Sequence, residues 1–192
     1  MCCAKSDFRR NTVCIARKAD KAQCKKDKSG SVLRVIEQVY RPHTMKIAEI
    51  TKNKKKYLSL LLLADEQEDM IDRYLDRGTM FVLDNDGVKS ECVVTDEGSG
   101  VLEIKNIATA PKCQGLGYGR LLIEYIADKY KNDFSVLQVG TGDSPLTIPF
   151  YEKCGFVRSY IVKNFFTDNY DHPIYECGIQ LTDMIYLQRK LT

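Results

Sequence analysis

Three glycines stand at alternate positions in the stretch ATAPKCQGLGYGRLLIEYI, which covers residues 108–126. They are Gly115, Gly117 and Gly119; a strand-like apolar run precedes them and an amphipathic helical pattern follows. Glycines let a chain turn tightly, and the first N–H groups of a helix carry the partial positive charge of its dipole. The pattern therefore predicts a loop that binds an anion, usually a phosphate group.

The identity of one residue excludes two well-known phosphate loops. Counted from Gly115, the dinucleotide-binding pattern G-x-G-x-x-G requires a third glycine at the position of Arg120. The P-loop pattern G-x-x-x-x-G-K-[ST] requires a glycine at the same position, and leucines follow it. The loop therefore belongs to a different class of phosphate site.

Two motifs in this part of the chain resemble those of a known superfamily. The stretch reads Gln114-x-x-Gly117-x-Gly119, and PFYEKCGF follows at residues 149–156. Both resemble segments of the GNAT superfamily of acetyl-CoA-dependent N-acetyltransferases, namely its pyrophosphate-binding Q/R-x-x-G-x-G/A and its F-Y-x-K-x-G-F. The resemblance covers roughly residues 45–192 and extends to a little-studied bacterial branch. It implies acetyl-CoA as cosubstrate, an amine as acceptor and no metal.

The resemblance also implies which residues contact acetyl-CoA. The end of the fourth strand pairs its backbone with the pantetheine arm, and a backbone N–H there donates to the thioester oxygen. A serine stands where the family often has an asparagine that contacts coenzyme A, and its hydroxyl can replace part of that hydrogen bonding. The predicted contacts are Ile107, Ala108, Thr109, Gln114, Gly115, Gly117, Gly119, Arg120 and Ser144.

Tyr151 and Glu103 are the candidate catalytic residues. By resemblance, Tyr151 is the general acid that protonates the sulfur of coenzyme A; a phenol, with a pKa near 10, is protonated at neutral pH. Glu103 lies eleven residues before Gln114 and resembles the glutamate that deprotonates the amine in some protein-acetylating members. Each has a simpler alternative, because Tyr151 can merely pack and Glu103 can merely pair with Lys105. Transfer is expected to be direct, without a cysteine nucleophile.

Strand alternation predicts the orientation of Glu103. Successive side chains of a strand point to opposite faces. Glu103, Lys105 and Ile107 are therefore predicted to share one face of the strand, with Asn106 on the other. A carboxylate on a central strand is costly to desolvate unless it has a partner, which favours a functional role.

The elements that must position these residues can be read from periodicity and turn signals. From Met45 the patterns predict a strand, two helices, a meander of three strands, a helix, a strand, a short helix and two closing strands. The first strand is MKIAEI, the helices KKKYLSLLLLADE and QEDMIDRYLDRG, and the closing strands FVRSYIVKNFF and GIQLTDMIYLQRKL. This order predicts an α+β GNAT fold, a mixed, mostly antiparallel sheet flanked by helices.

Composition predicts a soluble, cytoplasmic protein. Of 192 residues, 44% are hydrophobic and 29% are charged, and the longest apolar runs are too short for a bilayer span. The N-terminus has charges where a secretory signal needs apolar residues. Eight cysteines without a CxxC pair, with only two histidines, predict reduced thiols and no zinc site. Oligomeric state, including a homodimer, is left open.

Residues 1–44 form a basic N-terminal extension. They contain eleven basic and four acidic residues, whereas residues 45–192 contain 18 and 22. A disordered tail and an upstream start-site artefact, with Met45 as the natural start, both explain such an arm. A nucleic-acid-binding arm is the less favoured alternative, because only Phe8 and Tyr40 could stack on bases.

The acceptor is predicted to be a primary amine of a small molecule, such as a polyamine or an aminoglycoside, or of a protein. The first helices and the loop between the closing strands carry acidic and aromatic residues that suit a cation, although solvated surface charge explains them equally. A non-catalytic acetyl-CoA-binding module is the alternative function. The acceptor candidates are Glu66, Glu68, Asp69, Asp168, Tyr170, Asp171, Tyr175 and Glu176.

Overall fold

The computed structural model describes residues 45–192, so the predictions for residues 1–44 lie outside the described residues. Nine strands and five α-helices follow one another along this part of the chain, with short 3₁₀ turns at Lys54–Tyr57 and Pro111–Cys113. In order, they are β1 (Lys46–Ile50), α1 (Leu58–Leu61), α2 (Glu68–Leu75), β2 (Thr79–Asp84), β3 (Val88–Asp96), β4 (Val101–Thr109), α3 (Tyr118–Tyr130), β5 (Val136–Gly142), α4 (Thr147–Lys153), β6 (Val157–Val162), α5 (Phe165–Asn169), β7 (Tyr175–Glu176), β8 (Ile179–Gln180) and β9 (Met184–Lys190).

Seven strands form one sheet in the order β1-β2-β3-β4-β5-β9-β6. Only β4 and β5 run parallel, and every other neighbouring pair is antiparallel. The helix α3 makes the crossover that this parallel pair needs. The prediction of a mixed, mostly antiparallel α+β sheet is confirmed.

Helices cover both faces of this sheet. On one face, α3 and α4 contribute Leu122, Ile126 and Ile148 to a core shared with alternate residues of β2 to β5 and β9. On the other face, α1 and α2 contribute Leu61 and Ile71 to a second core against β2 and β3. The helical spacing of these apolar residues is what lets each helix bury one stripe against the pleated sheet.

Three elements differ from the sequence prediction. The first predicted helix is a 3₁₀ turn followed by the short α1, because the chain turns away after Leu62 through backbone bonds from Leu63 to Leu60 and from Ala64 to Leu61. The two phenylalanines at the end of the predicted sixth strand lie in α5. The last predicted strand is divided into β8 and β9, and β8 pairs with β7 in a separate hairpin.

The described part of the chain gives three further observations. Each helix within residues 45–192 is too short or too polar to span a bilayer. Those residues also hold no group of three His, Cys, Asp or Glu side chains able to bind a metal ion. Cys92, Cys113, Cys154 and Cys177 are free thiols, and burial raises the pKa of the Cys154 thiol.

Candidate active site

The candidate site lies where β4 and β5 separate. Their parallel pairing is limited to Val101–Ile104 with Val136–Val139, yet β4 continues to Thr109 and β5 to Gly142. The diverging ends line a cavity of about 500 Å³. Within the described residues the facing backbone groups of these ends therefore have no strand partner, and an extended ligand can bond to them as a strand would.

One extra residue in β4 decides which side chains face this cavity. Consecutive residues of β3 pair with Ile104 and Asn106, so Lys105 is an unpaired bulge. The predicted alternation is therefore wrong beyond the bulge, since one inserted residue inverts every later side chain. Ile107 packs against the α3 core, whereas Asn106 reaches the opposite face and donates to the hydroxyl of Tyr74 on α2.

Tyr151 lies on α4 and lines the cavity. Its ring makes edge-to-face contacts with Phe150 and Phe156, at centroid distances of 5.1 and 5.8 Å. Burial raises the pKa of Tyr151 well above the ordinary value for a phenol. The hydroxyl is therefore protonated at neutral pH and can act as a proton donor.

Glu103 lines the same cavity and has two partners that hold its carboxylate. Lys105 Nζ lies 2.7 Å from one oxygen, and Gln138 donates to the other at 2.9 Å. Gln188 in turn donates to Gln138 at 2.7 Å. A row of polar side chains thus crosses β4, β5 and β9, and it fixes the orientation of Glu103 on the cavity wall.

The predicted anion loop adopts the backbone that its glycines allow. Gly115 and Gly117 have φ of 74° and 87°, in the region that favours glycine, and Gly117 is the N-cap of α3. A Cβ built on either residue would meet no atom within 4 Å, so the loop faces open space. Gln114 donates to the backbone oxygen of Thr109 at 3.3 Å, which links the loop to the end of β4.

Gly119 and Arg120 lie in the first turn of α3 and differ in their surroundings. A Cβ on Gly119 would come 3.3 Å from the Phe150 ring and 3.5 Å from the Thr109 hydroxyl, so its small size also permits close packing. Arg120 is exposed, and no described residue forms an ion pair with it. The guanidinium is therefore free to approach a phosphate.

Five predicted contacts are not part of the cavity lining: the loop and helix residues Gly115, Gly117, Gly119 and Arg120, and Ser144 in the turn before α4. Ser144 is buried. Only 3% of it is exposed, and its hydroxyl accepts a hydrogen bond from the backbone N–H of Leu146 at 3.1 Å. The cavity lining does not include it. Ser144 thus has a local role in the turn that leads into α4. By contrast, both predicted catalytic residues, the predicted contacts on β4 and Gln114 line one cavity. These residues are Glu103, Ile107, Ala108, Thr109, Gln114 and Tyr151.

The predicted acceptor residues divide into two groups. Glu66, Tyr170, Tyr175 and Glu176 line the cavity. Glu68 is instead bound to Lys55 at 2.8 Å on the outer side of α2. Asp69, Asp168 and Asp171 are not part of the lining.

The cavity wall around Tyr170 also contains a hydrogen-bonded network, of which the sequence analysis missed Asp65, Tyr74 and Asn106. Tyr170 donates to Oδ1 of Asp65 at 3.1 Å, and Tyr74 donates to Oδ2 at 3.4 Å. Asn106 donates to the Tyr74 hydroxyl at 2.8 Å and to the backbone oxygen of Leu61 at 3.0 Å. Burial is the main cause of the raised pKa of Asp65. The sequence signal was an asparagine within the apolar strand VLEIKNIAT.

Comparison with known proteins identifies the family. The family model for the acetyltransferase (GNAT) domain matches residues 76–158. The chain is 36% identical, over 131 residues, to a Bacillus subtilis protein described as the uncharacterized N-acetyltransferase YvbK; the match covers 67% of this chain and 84% of that protein. The chain belongs to the GNAT acetyltransferase family. It is thus an acetyl-CoA-dependent N-acetyltransferase.

Solved structures agree with this assignment. The acetyltransferase is 39% identical to a GNAT family acetyltransferase from Elizabethkingia anophelis solved with acetyl-CoA bound, with a TM-score of 0.73 over 77% of this chain and 98% of that one. It is 32% identical to a Bacillus subtilis acetyltransferase solved in complex with CoA, with a TM-score of 0.70 over 78% and 100% of the two chains. The GNAT fold predicted from the sequence is confirmed.

Proposed function

We propose that this acetyltransferase moves the acetyl group of acetyl-CoA directly to a primary amine of a small molecule or of a protein. The observation that carries the proposal is the shared cavity at the separation of β4 and β5, which Tyr151, Glu103 and the backbone of 107–109 all line. An acid, a base and unpaired backbone donors at one place are what acyl transfer to an amine requires.

The donor half of the proposal fits acetyl-CoA. The unpaired edge of β4 offers backbone groups to the pantetheine amides, and the open loop at Gly115 and Gly117 offers backbone N–H groups to the diphosphate. Arg120 supplies positive charge at the same helix terminus. That relatives were solved with acetyl-CoA or CoA bound supports the same assignment.

The proposed reaction uses two side chains of the cavity. Glu103 accepts a proton from the attacking amine, whose nitrogen forms a bond to the carbonyl carbon of the thioester. A backbone N–H of β4 stabilises the charge on the carbonyl oxygen. The carbon–sulfur bond then breaks, and Tyr151 gives its proton to the departing thiolate. The products are the N-acetylated amine and free coenzyme A.

A panel of amines tests this function. The full chain is incubated with acetyl-CoA and each of several diamines, monoamines, aminoglycosides and lysine peptides, and release of the free thiol is recorded with the mass of the product. At least one primary amine is expected to raise CoA release above the rate of hydrolysis and to gain one acetyl group. If acetyl-CoA binds and no primary amine is acetylated, the proposal is wrong.

A further inference from the structure

The cavity wall carries a carboxylate, Asp65, that has no ion-pair partner among the described residues. Asp65 accepts hydrogen bonds from two neutral phenols, and no described residue forms an ion pair with it. Of the three cations on the lining, Lys105 and Arg77 form ion pairs with Glu103 and Glu97, and Arg73 donates a hydrogen bond to the neutral amide of Asn169 at 3.3 Å.

One of the two tyrosines bonded to this carboxylate, Tyr170, belongs to a cluster of aromatic rings. Phe166 and Tyr170 are stacked with centroids 5.7 Å apart, and Phe165 meets Phe166 edge to face at 5.5 Å. These residues line the cavity together with Tyr74. Aromatic faces attract cations, so a partly buried carboxylate beside them is a site for a positively charged group rather than for a neutral or anionic one.

The position of Asp65 is fixed relative to the strand that holds the donor. Asn106 follows directly after the β4 bulge and bonds to Tyr74, which bonds to Asp65. Tyr170 reaches the same carboxylate from a segment 105 residues further along the chain. A side chain held from two directions keeps its orientation when a ligand binds.

We propose that Asp65 binds a second cationic group of the acceptor, one that is not itself acetylated. The amine that attacks the thioester must be neutral, and a second carboxylate beside it that does not take up the proton would raise the pKa of the amine and oppose the loss of its proton. Asp65 therefore suits a group that stays charged throughout the reaction. The acceptor class is a small diamine or other polycation, and this inference rests on the amine acetylation proposed above.

Matched acceptors test the role of Asp65 in the full-length enzyme. Linear diamines of increasing length are compared with monoamines in which the second amino group is replaced by a methyl group. The wild-type enzyme is expected to prefer the best diamine by about tenfold or more in kcat/KM, since a hydrogen bond to a charged group contributes about 1.5–3 kcal/mol. Asp65→Asn is expected to lose most of that preference through a higher KM for the diamine.

Two further variants distinguish the Asp65 carboxylate from neighbouring carboxylates of the enzyme. Asp72→Asn makes the same change on α2, where the carboxylate binds Lys55 outside the cavity, and it is expected to keep the preference. If Asp65→Asn keeps the preference, if it lowers kcat/KM equally for both amines, or if Glu176→Gln removes the preference instead, the inference is wrong. If the wild type uses diamines and monoamines equally well, the inference about Asp65 is also wrong. If the wild type acetylates neither kind of amine, the proposed amine acetylation itself is wrong.

Discussion

The ammonium group of Lys105 lies 2.7 Å from the carboxylate of Glu103, and Lys105 is the residue that the pairing of β4 with β3 skips between Ile104 and Asn106. The bulge therefore supplies the cation that pairs with the predicted base in a largely buried position. Because a charge in such a place is costly without a partner, the pair explains how Glu103 can exist on a central strand. It is compatible with a catalytic role and with a structural one.

Glu103→Gln is expected to lower kcat by about 10²–10³-fold, since a positioned general base contributes on the order of 10²–10⁴-fold. The measurement is the pH–rate profile of kcat/KM, whose acidic limb should flatten in the variant. Lys105→Met is the matched control, because it breaks the ion pair and retains the carboxylate. An unchanged acidic limb in Glu103→Gln, or equal losses in the two variants, would assign the pair a structural role only.

Tyr151→Phe is expected to lower kcat by at least tenfold while leaving the melting temperature nearly unchanged. The aromatic ring and its contacts with Phe150 and Phe156 are retained, and only the proton donor is lost. Because burial raises the pKa of Tyr151, the wild-type enzyme should show no loss of activity from its deprotonation below about pH 10. Tyr125→Phe, on the exposed side of α3, is the control, and a kcat unchanged in Tyr151→Phe removes the assignment.

Gly117→Ala is expected to raise the KM for acetyl-CoA by about tenfold or more. The φ of 87° strains any side chain, and the methyl group would project into the open space proposed for the diphosphate. Gly98→Ala is a close control, because Gly98 has a φ of 80° and equally open surroundings in the turn between β3 and β4. Both variants should lose a similar amount of stability, but only Gly117→Ala should raise the KM for acetyl-CoA. If the two variants have a similar KM for acetyl-CoA, the proposed phosphate site is wrong.

Glu91→Gln is expected to stabilise the protein at alkaline pH. Glu91 is fully buried on β3, neither carboxylate oxygen has a hydrogen-bond partner among the described residues, and burial raises its pKa from 4.5 to about 8. The folded state therefore holds a proton that the unfolded state releases above about pH 4.5. The free energy of unfolding of the wild type should therefore fall as pH rises towards 8. Since each pKa unit corresponds to about 1.4 kcal/mol, the total loss is at most about 5 kcal/mol.

Denaturant unfolding at pH 5, 7 and 9 checks this stability prediction. The difference between Glu91→Gln and the wild type should grow with pH, because the amide cannot ionise. Glu152→Gln, a change at an exposed carboxylate, should give parallel curves. A constant difference between Glu91→Gln and the wild type across these pH values would show that Glu91 does not titrate in this range.

Local sequence determined the half of the site proposed for the donor. Within each of the motifs QGLGYG and FYEKCGF, the residues are neighbours along the chain. The spacing in the first motif alone predicts a tight turn before a helix, and the spacing in the second predicts a tyrosine on a short helix further along. The positive φ of Gly115 and Gly117 is a property that glycine provides wherever the chain folds. For the same reason the meander, the central strand and the fold class could be predicted from periodicity and turn residues.

The tertiary structure decided the half of the site proposed for the acceptor, because its parts come from distant segments. The bulge at Lys105 depends on the register that β3 imposes on β4, and strand periodicity alone could not show that it turns Asn106 towards α2. Asp65 and Tyr170 are 105 residues apart, and only the packing of α5 near α2 brings them to 3.1 Å. Spacing along one strand or helix determines which residues share a face, whereas contacts between elements depend on how the whole sheet is assembled.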